Sequence, residues 1–126
     1  MYGYKKQVEL SYEDTIEKTK ESLKEHGFGV LTEIDVKATL KKKLDVDFDK
    51  YIILGACKPK LAHKALSVER DIGLMLPCNV IIYEQENNVF VSAILPSIAM
   101  SMIENPELGE IAKIVELQYG KPDVIA

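Results

Sequence analysis

Apolar and polar residues alternate at the start of the chain. Over residues 2–10, Tyr4, Val8 and Leu10 fall on one side and Lys5, Gln7 and Glu9 on the other, the period of a strand with one wet face. The period then lengthens. Tyr12, Ile16, Thr19 and Leu23 recur at helical spacing and predict a buried stripe. Ser11 precedes it as N-cap, with Asp14 three residues on as an acidic capping-box partner. Gly27 supplies the stop after His26, and a histidine at that negative helix end reads as a capping residue. Residues 28–34 return to alternation, which puts Phe28, Val30, Thr32 and Ile34 on a shared face. Asp35 then caps a short helix over Val36–Leu44, whose apolar positions Val36, Leu40 and Leu44 lie four apart. Lys41, Lys42 and Lys43 run along its solvated back.

Tyr51–Cys57 is apolar at nearly every position, the pattern of a strand covered on both faces. Gly55 inside it marks a bulge or a close approach. Pro59 opens a helix at a position where proline is tolerated, with Leu61, Ala62, Ala65 and Leu66 as its inner stripe and an end near residues 71–73. Residues 79–84 and 89–95 predict a hairpin with Asn87 and Asn88 in the turn, where asparagine tolerates positive φ. Pro96 stops the second strand, and a short helix or turn follows over 97–103. Asn105 and Pro106 start the last helix as N-cap and first residue. Its stripe is Leu108, Ile111, Ala112, Val115 and Tyr119, and Gly120 and Pro122 end it. The order is β-α-β4-α with two short inserted helices. It predicts an α+β fold: a curved antiparallel sheet with two long helices on one face.

Composition narrows the setting. A chain of 126 residues is one domain, 1–126, long enough to bury a core without staples. A net charge of −4 argues against a nucleic-acid partner, since phosphate binding wants a basic face. No apolar run approaches the ~18 residues needed to span a bilayer, so no membrane partner is expected. The N-terminus lacks an apolar signal core, which favours a cytoplasmic protein. In that reducing compartment the two cysteines are expected as free thiols.

Those cysteines carry the sharpest chemistry. Cys57 ends a strand just before a helix, where a thiol is easily ionised, and Lys58 and Lys60 flank it in sequence. Cys78 opens a later strand. If the two strands pair antiparallel, both thiols share one rim of the sheet, with His63 on the intervening helix. The candidate thiol site is therefore Cys57, Cys78 and His63. The bland reading weighs more, because free cysteine is often a small buried hydrophobe. Metal ligation by Cys57, His63 and Cys78 is a further alternative, but the spacing lacks the tight C-x-x-C that marks zinc. Asp45, Asp47 and Asp49 have calcium-loop spacing without the required glycine and distal glutamate. No phosphate cradle, dinucleotide fingerprint or nucleophile elbow occurs, so neither a catalytic residue nor a cofactor is assigned. Tyr2, Tyr4 and the first strand offer an edge for self-association.

Three blocks carry a family resemblance: GFGVLTEIDVKATLKKKL, LGACKPKLAHKAL and IGLMLPCNVIIYE. Together, over about residues 27–108, they are similar to the DUF302 family of small prokaryotic proteins. Gly55, Ala56, Cys57, Pro59, Ala62, His63, Ala65, Leu66, Pro77, Cys78 and Asn79 match its pattern, and Asp45 stands where a glycine is common. The resemblance implies a TBP-like β-α-β4-α domain, often dimeric, and no settled activity. The expected function is a homodimeric ligand-binding or sensing module for a small molecule, using a cleft between the long helices and the sheet. The alternative is a thiol-dependent redox or metal-binding protein.

Overall fold

The computed structural model describes residues 2–119, with the backbone alone at 118 and 119. The expected stop at Gly120 and Pro122 and the Tyr119 side chain lie outside the described residues. Five strands, β1 (Gly3–Val8), β2 (Gly29–Asp35), β3 (Tyr51–Cys57), β4 (Cys78–Gln85) and β5 (Asn88–Ile94), form an antiparallel sheet in the order β1-β5-β4-β3-β2. Helices α1 (Tyr12–Glu25) and α5 (Pro106–Tyr119) are the long ones; α2 (Val36–Leu44), α3 (Pro59–Val68) and α4 (Pro96–Ala99) are inserted.

Local sequence sets the helix ends. Ser11 Oγ accepts from Asp14 N at 3.1 Å, and His26 is the C-cap of α1 with Nδ1 2.8 Å from the Ser22 carbonyl. Gly27 follows at φ +85°, the left-handed conformation that glycine adopts without steric cost. Asp35 Oδ1 accepts from Ala38 N at 2.9 Å and caps α2. Asp45 ends α2 at φ 53°, which explains why a glycine also suits that position; aspartate is among the few residues that tolerate it. Asn105 Oδ1 accepts from Glu107 N and Leu108 N, capping α5.

The main core lies between the sheet and the long helices. Leu54, Val80, Ile82 and Val91 point into it from β3, β4 and β5 with no exposure, and Leu23 of α1 meets them. Val115 of α5 packs against the same cluster. A second, smaller cluster joins Ala65 of α3, Met100, and Leu108 and Ala112 of α5, with Ile72 at its centre.

Four local expectations change. Strand β3, expected to be covered on both faces, sends Ile52, Leu54 and Ala56 into the core while Tyr51 and Ile53 join neither cluster. A bulge between Val30 and Thr32 shifts the register of β2, so Val30 pairs with core-facing Ala56 while Thr32 pairs with Gly55 on the other face. The expected single face of β2 is therefore split. The hairpin turn is Glu86–Asn87, at φ 52° and 68°; Asn88 already pairs with Gln85 as the first residue of β5. Helix α3 stops at Val68, and a 3₁₀ turn over Arg70–Met75 carries the chain toward Pro77.

Candidate functional site

The β3–β4 register fixes the two thiols. Ala56 pairs with Cys78, so Cys57, the next residue, stands at the same rim of the sheet. Lys58 forms the junction with α3, and Pro59 starts the helix without a side-chain cap. Both cysteines are free. Cys78 is buried at 8% exposure and Cys57 is half-buried.

Cys57 and Cys78 wall the same small apolar cavity, of about 30 Å³, between the sheet and helices α3 and α5. Phe28, Leu61, Ala112 and Val115 close it from the other sides. A water needs ~10–15 Å³ and two or more polar partners, so a space this apolar is dry. Burial, and then the nearby Cys57 thiol, push the Cys78 pKa up to about 11. Cys78 is therefore a neutral thiol at physiological pH, not a nucleophilic thiolate.

Two larger hollows flank the cavity and share its walls. One, of about 550 Å³, is an open groove lined by Gly27, Lys58, Pro59, Lys60, Leu61 and Lys64. Lys58 and Leu61 belong to both groove and cavity. The Lys58 ammonium also stands 5.2 Å from the Phe28 ring centroid, a cation–π distance. A Cβ on Gly27 would meet Lys58 Cε at 3.3 Å, so the glycine also leaves room for that stem. The other hollow, of about 310 Å³, reaches Cys78 from outside past Leu76, Pro96 and Met100. The expected cleft between helices and sheet is thus a nearly filled core gap with a basic groove at one mouth.

His63 lies elsewhere. It lines a shallow hollow with Lys64, Ser67, Glu107 and Glu110, between α3 and α5, and is not among the residues around the thiols. Among the described residues, no set of three or more His, Cys, Asp or Glu side chains converges as metal ligands would. The structure therefore joins two of the three candidate residues. Sequence reading missed the lysine groove, although Lys60 and Lys64 are four apart and share a helix face. Asp45 and Asp47 are held by Lys41, at 2.9 and 3.6 Å.

Comparison with known proteins agrees with this architecture. The model of the family described as "Domain of unknown function DUF302" matches residues 4–120. Among solved structures, the crystal structure of an uncharacterized conserved protein DUF302 from Bacillus stearothermophilus is similar, with a TM-score of 0.89 and 32% identity. The match covers 95% of this chain and 94% of that one. No curated protein matches the chain.

Proposed function

The chain belongs to the DUF302 family, and we propose that it is a homodimeric binding or sensing module for a small anion bearing a short apolar group. The carrying observation is the shared wall of groove and cavity. Lys58, Lys60 and Lys64 concentrate positive charge on a chain of net charge −4, while Leu61 and Phe28 offer apolar surface directly behind them. Charge orients and apolar contact holds, the usual division of labour in a small-molecule site. Among the described residues no helix is long and apolar enough to cross a membrane.

Hexanoate, with acetate and hexanol as controls, tests this by amide NMR. Shifts centred on Phe28, Lys58 and Leu61 with hexanoate, weakened by Lys58→Glu, support the reading. Equal response to acetate means charge attraction without a seat, and no response to hexanoate sinks the proposal.

A thiol-dependent reading has one observation in its favour: Cys57 and Cys78 border the same cavity. It predicts a reversible Cys57–Cys78 disulfide on treatment with hydrogen peroxide. Each thiol gives up a proton and the pair two electrons, and the peroxide is reduced to two waters. Intact thiols after oxidation, read by mass spectrometry, remove that reading.

A further inference from the structure

Strand β3 is apolar on both faces, yet the fold covers only one. Ile52, Leu54 and Ala56 point into the core, while Tyr51 and Ile53 point away from it. Strand β4 repeats the pattern, with Val80 and Ile82 inward and Ile81 and Tyr83 outward. Across the register, Ile34, Ile53 and Ile81 make one outer row, and Tyr51, Tyr83 and Phe90 another. The three aromatic rings stack in sequence at 5.4 and 5.3 Å. None of these six residues joins either core cluster, and Ile34 is 48% exposed.

An antiparallel sheet whose outer face meets water carries polar residues there. Here polar residues gather mainly around the two apolar rows: Lys5 and Gln7 on β1, Thr32 on β2 and Asn79 at the end of β4, with Ser92 beside Ile81 and the Lys5 ammonium over the Phe90 and Tyr83 rings at 4.7 and 5.3 Å. An apolar centre inside a polar rim is the anatomy of an interface. The corner beside β2 and β3 adds more unburied apolar surface. Helix α2 has no buried residue; Leu44, its last residue, is 67% exposed, and Val46 and Phe48 beyond it are 44% and 42% exposed.

We propose that this outer sheet face is where two copies of the chain meet, stacked sheet on sheet about a two-fold axis running along the central strand β4. This rests on the homodimer reading above and gives it a surface. Size favours a second copy. Five strands ~4.8 Å apart and six residues at ~3.3 Å give a flat footprint of roughly 450 Å². Side-chain relief and the Leu44–Val46–Phe48 corner bring the accessible area toward the ~800 Å² per partner of a standard interface. The axis carries Lys5, at the β1 edge, to the opposite half of the partner's face, so the two Lys5 side chains are kept apart. The interface is then isologous, with Ile81 of each copy near the axis.

Sedimentation equilibrium of the full chain tests the surface. The wild type is expected to be a dimer at micromolar concentration. Ile81→Glu and, independently, Tyr83→Lys are expected to shift it to monomer while keeping far-UV circular dichroism and cooperative melting. A short bis-maleimide should cross-link Ile81→Cys to its own copy in a background of Cys57→Ala and Cys78→Ala, since stacked sheets lie ~10 Å apart. If folded variants stay dimeric and no cross-link forms, the face is wrong and the dimer reading survives through another surface, such as the β1 edge. A monomeric wild type overturns both.

Discussion

Gly55 and Thr32 face each other across the β2–β3 pair so closely that a Cβ on Gly55 would overlap Thr32 Oγ1. On its other side the same Cβ would press on Pro77 Cγ, at 2.6 Å. The bulge in β2 sits beside this contact, between Val30 and Thr32. A position that sequence marks as bulge or close approach is the close approach, and the partner strand carries the bulge.

Gly55→Ala is expected to cost about 1–3 kcal/mol, the usual range for overpacking. Urea denaturation reads it. Adding Thr32→Ala should recover part of the loss and not all, because Pro77 still crowds the site. Full additivity of the two substitutions would show that the contact is relieved elsewhere.

The Cys78 thiol gives a signed pH dependence. Its folded pKa is pushed up to about 11 by burial and then by Cys57, whereas an unfolded thiol ionises near ~8.5. Between those values the folded chain holds a proton that the unfolded chain has lost, so stability falls as pH rises through that window. The stability is fully present below it. The loss is at most about 3 kcal/mol, and Cys78→Ala should flatten it. Tyr12 adds a smaller decline of the same sign above pH ~10, since burial and then the Asp35 and Glu13 charges raise its pKa to about 12.

Two N-caps should behave differently. Ser11 caps α1, which buries Thr15, Thr19 and Leu23, so Ser11→Ala should lower global stability by about 1 kcal/mol. Asp35 caps α2, which buries nothing, so Asp35→Ala should fray that helix and leave the urea midpoint of the monomer almost unchanged. Hydrogen exchange in α2 against global unfolding separates the two.

Asn105 holds the end of one helix to the start of another. Its Nδ2 donates to the Val68 carbonyl at 2.9 Å and to Glu69 Oε1 at 3.1 Å while its Oδ1 caps α5. Asn105→Ala should cost about 2 kcal/mol, and Asn105→Asp should keep the cap yet lose the two donated bonds. An Asp variant as stable as wild type would mean that those two bonds contribute nothing.

Element order was legible because strong periodicities decided it. The Tyr12–Leu23 stripe and the all-apolar Tyr51–Cys57 run each have one sensible reading. The bulge at Val30/Thr32 was hidden, since no glycine marks it and the pattern at 28–34 fits an unbroken strand. The turn at Glu86–Asn87 was missed by one residue because glutamate gives no signal for positive φ. Neighbouring thiols were readable only on the condition that β3 and β4 pair, which they do. His63 misled because its place in the chain, between the cysteines, says nothing about the direction of a side chain on α3. The lysine groove was overlooked although its three lysines lie within residues 58–64; only Gly27, on the turn after α1, comes from elsewhere in the chain.

The strand order also sets a timetable for synthesis. Strands β2, β3 and β4 each pair with the next strand as the chain emerges. The first strand does not: Gly3 pairs with Ile94 and Val8 with Val89. At about 5–20 residues per second, β1 waits several seconds or more for its partner, with Tyr4 and Val8 unsheltered. The first strand of the sheet to be made is thus the last to be paired, and the emerging chain is most open to mispairing at β1.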